Sequence, residues 1–200
     1  MRYLILFLFI YLASISVNAQ KELNLGEVRY DSAFNCKEQR YSRASDKNFN
    51  LPDICDSKND LEIRLKTYVL PNGQTDLIIL SNKDGKWDAK KYIRSSGTLG
   101  PTLTTVSYIF PEWNNLFAEQ VFTNYIDTLI KCRLFLLPDK SELKHEPCCL
   151  DGVVYILTFK AGTSFRTYSY DNPHSYLTQH PDSKEYAYIQ EIAKLLNTLF

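Results

Sequence analysis

The sequence predicts an α+β domain: a mainly antiparallel sheet, made of a three-stranded meander plus a hairpin, with two principal helices packed on one face. Three observations carry that prediction. Apolar and polar residues alternate over several short runs between residues 61 and 170, the period of a half-buried strand. Short turn sequences join those runs, leaving no room for the crossovers that parallel strands require. Two stretches, near 111–130 and 182–199, carry instead the spacing of an amphipathic helix.

Leu61, Ile63, Leu65, Thr67 and Val69 alternate with Glu62, Arg64, Lys66 and Tyr68, which predicts a first strand with one buried and one wet face. Pro71-Asn72-Gly73 turns the chain. Leu77 to Leu80 (LIIL) suits a strand covered on both faces. Asp84-Gly85 follows, a hairpin signal because both central positions of a two-residue turn need positive φ. Trp87 to Ile93 returns as the third strand. Residues 95–101 (SSGTLGP) read as a loop, and Val106 to Phe110 as a short strand ended by Pro111.

Trp113, Leu116, Phe117, Val121, Tyr125 and Leu129 line one side of the first helix, with Pro111 suited to its first turn. Leu137-Pro138-Asp139 closes that element. Val153, Tyr155, Leu157 and Phe159 alternate along a fourth strand, residues 160–163 turn, and Phe165 to Tyr170 makes a fifth. Asn172-Pro173 reads as the cap and first helical residue of a brief turn. Asp182 and Glu185 have capping-box spacing ahead of the last helix, whose stripe is Ile189, Ile192, Leu196 and Leu199.

Residues 1–19 read as a cleavable export signal that precedes a polar, loosely structured lead-in (20–58) and a single α+β domain (59–200). Arg2 gives the positive start, Tyr3 to Ala13 is an apolar stretch too short to span a bilayer, and Val17 and Ala19 occupy the positions a signal peptidase reads. The mature chain is expected to start near Gln20 and to work in the periplasm or outside the cell. No later stretch approaches the roughly 18 apolar residues of a spanning helix, so the mature chain is expected to hold no transmembrane segment. Formal net charge is zero and falls to −1 when Arg2 is removed, with acids and bases interleaved. That pattern offers no basic stripe for nucleic acid or anionic lipid.

Five cysteines, Cys36, Cys55, Cys132, Cys148 and Cys149, follow the signal. In an exported chain they predict disulfides, with one thiol left over. Cys36–Cys55 would tie down the lead-in, and Cys132 with Cys148 or Cys149 would link the end of a helix to the entry of a strand. The competing reading is a metal or redox site at His145, Cys148 and Cys149, a histidine and two soft sulfurs. Adjacent cysteines rarely both face one tetrahedral ion, so disulfides are preferred and no cofactor is expected.

The tyrosine excess, 14 in the chain, invites a saccharide- or peptide-binding reading. Tyr68, Tyr92, Tyr168 and Tyr170 fall on the solvent-side parity of their strands. Arg166, Tyr168 and Tyr170 share one strand face, with His174 just beyond, and make a candidate binding surface. Burial under the helices is the plainer account of the same tyrosines. Arg166, His174 and Asp182 could also serve a small hydrolase, through an anion-binding arginine and a histidine base beside a carboxylate. No nucleophile elbow, P-loop, dinucleotide-binding glycine pattern or H-E-x-x-H occurs. Asp56 and Asp60 lie in a polar loop and read as solvated.

LEIRL (61–65), IILSNKDGKWDAKKY (78–92), LF (116–117), LPD (137–139), DGVVYIL (151–157) and RTYSYDNPHSY (166–176) resemble a group of exported bacterial proteins of unknown function. The resemblance covers roughly residues 60–200. It implies a bacterial envelope or extracellular home and a compact single domain, and it brings no catalytic role. The function expected is that of an exported, non-enzymatic binding or interaction domain. Its partner would be another envelope protein, a saccharide or a peptide.

Overall fold

The computed structural model describes Leu25, Val28 and residues 49–70, 73–97, 100–108, 115–143 and 152–200. They form an antiparallel six-stranded sheet with three α-helices, an α+β architecture. The strands are β1 (Leu61–Leu70), β2 (Gln74–Lys83), β3 (Lys86–Gly97), β4 (Gly100–Tyr108), β5 (Gly152–Ala161) and β6 (Ser164–Asp171). The helices are α1 (Asn115–Lys131), α2 (Pro173–Gln179) and α3 (Lys184–Asn197). Across the sheet the order is β4-β3-β2-β1-β5-β6. Single 3₁₀ turns occupy Ile54–Asp56 and Lys140–Glu142.

Register fixes which residues share a face. Ile63 lies between Leu80 and Phe159, and Leu65 between Ile78 and Leu157. This first face is the main core. It joins those strand residues to Ile126 and Leu129 of α1 and to Ile189, Ile192 and Leu196 of α3. The β2–β3 turn works as its sequence requires, with Asp84 and Gly85 both at positive φ (51° and 76°). Asp60, rather than being merely solvated, accepts the Asp84 N–H at 2.7 Å and ties that turn to the start of β1.

Several elements differ from the sequence reading. β4 runs from Gly100 and pairs with β3 as far back as Gly97, so most of the apparent Ser-Gly-Thr loop is strand. Threonine supplies the β-propensity there that alternation of apolar residues does not. Asp182 makes no capping box. α3 starts one residue later than that spacing assumed, on Ser183, and no side chain caps it. The capping box falls instead on Asp139 and Glu142, at the 3₁₀ turn. Asn172 and Pro173 are the N-cap and first residue of α2, as the sequence reading had them, but Asn172 sits in the left-handed region (φ 43°) and its Oδ1 accepts the Val153 N–H at 2.6 Å rather than an N–H of the helix.

The second face of the sheet departs furthest from expectation. Alternation marked Glu62, Arg64 and Lys66 as wet, yet they are 4%, 2% and 2% exposed. Residues 49–58, the end of the stretch read as a loose lead-in, are docked over them together with Asn59 and Asp60. Phe49 packs with Leu77 and Ile79, and Leu51 and Tyr92 pack against that cluster. Arg64 Nη1 donates to the Pro52 carbonyl at 3.0 Å. Lys160 donates to the carbonyls of Cys55 and Ser57. The predicted first-helix start at Pro111 and Trp113 lies outside the described residues, as does the turn at Pro71-Asn72.

Candidate functional site

Arg166, Tyr168 and Tyr170 share one face of β6, as their spacing requires, but that face is the covered core side. Pairing puts them opposite Phe159, Leu157 and Tyr155 of β5. They are 1%, 1% and 0% exposed, so solvent-side parity was wrong for both tyrosines. Each polar end reaches main chain in the segment after α1. Tyr168 Oη donates to the Leu134 carbonyl at 2.8 Å, Arg166 Nη2 to Leu137 at 2.7 Å, and Tyr170 Oη to Pro138 at 2.6 Å. Asp139 accepts the Ser169 N–H at 2.8 Å, and Lys140 pairs with Asp171 at 2.5 Å.

The chemistry of this cluster is that of a clasp. Burial pushes the Tyr168 hydroxyl well above its ordinary range, helped by Tyr170 and opposed by Arg166. Tyr170 moves the same way, first through burial and then through Glu185. Tyr186, wedged between Tyr170 and Tyr176 at ring distances of 5.1 and 3.9 Å, is pushed up to about 12, chiefly by burial. Such phenols stay protonated, and those of Tyr168 and Tyr170 serve as donors. Asp139 behaves oppositely. Burial would raise it, but hydrogen bonds from Ser141 and Ser169 and the Lys140 charge outweigh that and hold it below the usual carboxylate range.

His174 is exposed on α2 and lines a pocket of about 530 Å³ over Tyr155, together with Glu191 and Lys194 of α3. Asp182 is exposed and lines neither that pocket nor the second one described below. Arg166 lies under the 132–143 segment. Neither of these two pockets holds more than one of the three candidate hydrolase residues.

The second sheet face holds the more constructed site. Three strands present side chains to it in a grid fixed by the ladders. Glu62, Ser81 and Asp88 form one row; Arg64, Ile79 and Lys90 the next; Lys66, Leu77 and Tyr92 the third. Rows stand about 7 Å apart along the strands, and columns about 5 Å apart across them. Glu62 and Arg64 form the floor, paired at 2.6 Å with side chains 5% and 2% exposed. Glu62 Oε2 also accepts from Asn59 at 2.7 Å and from Ser57. At the rim Lys90 bonds Asp88 at 2.6 Å. That bond, opposed by partial burial, raises the lysine's pKa. Residues 51–59 wall the opposite side, leaving a pocket of about 400 Å³.

Tyr92 lines this pocket and packs edge-on against Phe49, at 6.1 Å between ring centroids. Tyr68 shares the face, one row beyond Lys66, but does not line the pocket. So of the six proposed binding residues, Tyr92 and Tyr68 belong to one face of the sheet. Arg166, Tyr168 and Tyr170 belong to the other, and His174 to a helix. Glu62, Arg64, Asp88 and Lys90 were missed. The LIIL run held the signal: if Ile79 is covered on both faces, the neighbouring Arg64 must be covered too.

Cys55 is disulfide-bonded, with its partner outside the described residues. Cys132 is a free thiol, 8% exposed, rather than one end of a bridge to Cys148 or Cys149. It packs in the main core at the end of α1, and burial, with a smaller contribution from Glu191, raises its pKa. Cys36, His145, Cys148 and Cys149 lie outside the described residues, as does the 1–19 segment. Among the described residues no cluster of His, Cys, Asp and Glu is arranged to hold a metal ion. Nor is any helix among them long and apolar enough to cross a membrane. No protein-family model matches the chain, and no curated protein matches it.

Proposed function

We propose that the mature chain is an exported, non-enzymatic binding domain, acting in the periplasm or outside the cell, whose ligand occupies the pocket beside Tyr92. The observation that carries the site is its preformed floor: a buried, fully engaged ion pair that holds the surrounding side chains in place with no ligand needed to order them. Its volume, about 400 Å³, falls within the 300–1,000 Å³ range of small-ligand pockets. The export-signal pattern of residues 1–19 and the disulfide at Cys55 support the compartment. We read the architecture as a meander and a hairpin with the principal helices stacked on one face, a layout that leaves the other face to the 49–60 segment and the ligand.

The hydrolase reading finds less support, because Arg166 is engaged with the Leu137 carbonyl while His174 lines a separate pocket. A metal or redox role for His145, Cys148 and Cys149 rests on sequence alone.

Two measurements test the proposal. Intact mass of the chain recovered from a bacterial host should give a start at Gln20 and a disulfide; an uncut chain would overturn the compartment. A fragment screen read by amide chemical shifts should cluster its hits on Ser81, Asp88, Lys90 and Tyr92. Hits confined to His174, Glu191 and Lys194 would overturn the site.

A further inference from the structure

We infer that the Tyr92 pocket takes a neutral, polyhydroxylated ligand of the saccharide class, an assignment that rests on the pocket being the binding site. Charge balance is the first argument. The carboxylates of Asp56, Glu62 and Asp88 are matched by the cations of Lys58, Arg64 and Lys90 around the same cavity. Glu62 and Arg64 are already spent on each other, on Asn59 and on the Pro52 carbonyl. Lys90 is spent on Asp88. An ionic ligand that reaches Glu62, Arg64, Asp88 or Lys90 gains a contact only by displacing a partner already in place, and breaking a paired charge costs as much as the new pair returns. A hydroxyl avoids that conflict. It donates to a carboxylate lone pair and accepts from an ammonium hydrogen without separating the two.

The second argument is which groups face the cavity. Its floor is made by β1, β2 and β3, whose main-chain groups are used by the neighbouring strands. A peptide recognised by strand addition needs a free sheet edge, and the pocket lies away from both edges. What these strands offer a ligand is side chains alone: the Asp88–Lys90 pair at the rim, the Ser81 hydroxyl, and the apolar surface of Ile79 beside the Tyr92 ring. Alternating polar contacts beside an apolar and aromatic surface match a sugar ring, which carries hydroxyls around its edge and C–H groups on its faces.

The test is a titration of the mature chain, read by amide shifts, with maltotriose, cellotriose and chitotriose. A digalacturonate and a neutral hexapeptide serve as controls. A neutral trisaccharide is expected to shift Ser81, Asp88, Lys90 and Tyr92 along a saturating curve. The double variant Asp88→Ala/Lys90→Ala changes side chains that are 49% and 41% exposed, so the fold survives, and it should weaken binding at least tenfold. Shifts at these amides from only the digalacturonate or the peptide would keep the pocket and overturn the ligand class. Shifts from a trisaccharide confined to residues elsewhere, or from none of the five probes, would overturn the assignment of this pocket.

Discussion

Glu62 and Arg64 carry a prediction that reaches from the sheet to the candidate site. Their ion pair is nearly dry, at 5% and 2% side-chain exposure and 2.6 Å separation. Removing one partner strands the other in a low-dielectric setting. Glu62→Leu or Arg64→Met should therefore each cost about 3–5 kcal/mol, far above the 0–1 kcal/mol of an exposed pair. For a domain of this size that lowers Tm by roughly 6–20 °C. Each change also removes a tether of the 49–60 segment, since Ser57 and Asn59 bond Glu62 while Arg64 bonds the Pro52 carbonyl. The double variant Glu62→Leu/Arg64→Met leaves no unpaired charge. It should fall short of the summed single costs by at least about 2 kcal/mol. Urea unfolding followed by circular dichroism gives the three stabilities, and limited proteolysis between residues 49 and 60 reports undocking. Single costs below about 1 kcal/mol with an additive double variant would mean that water reaches the pair, and the covered second face would be refuted.

The tyrosine ladder separates two phenols by their partners. Tyr170→Phe deletes a donor to the Pro138 carbonyl and should cost about 1–2 kcal/mol, whereas the buried Tyr186 hydroxyl has no hydrogen-bond partner among the described residues. Tyr186→Phe is therefore expected to be neutral or to stabilise by up to about 1 kcal/mol; thermal denaturation of the two variants in the reverse order would contradict the assignment. Asp139 sets an acid limb. Its folded pKa is lowered, so its contribution is complete above the ordinary value of 3.8 and is lost as pH falls through the folded value. Asp139→Asn should cost about 1–2 kcal/mol at pH 7, where the Ser169 N–H then faces an amide group. That gap should narrow below pH 3.8 in urea titrations run across pH, and a gap independent of pH would discount the carboxylate.

By itself the sequence determined what depends on local pattern. Period two placed β1, β5 and β6, Asp84-Gly85 set a turn with both residues at positive φ, and the stripe from Ile189 to Leu196 buried α3. These are short-range facts, because side chains two residues apart on a strand, or three and four apart on a helix, necessarily share a face. Which face of the sheet is covered, and by what, is not local. Alternation separates the two faces of a strand but leaves open whether one of them meets water. The same parity buried Arg166, Tyr168 and Tyr170 under the 132–143 segment and aimed Tyr92 into a pocket on the far side. Nor does a charge in the sequence reveal whether it will find a partner. Glu62 and Arg64 lie two apart on one strand, a spacing as common on wet faces as on dry ones. Only the docking of residues 49–60 excluded the water that would have screened them, and that exclusion makes the pair a fixed floor for the site.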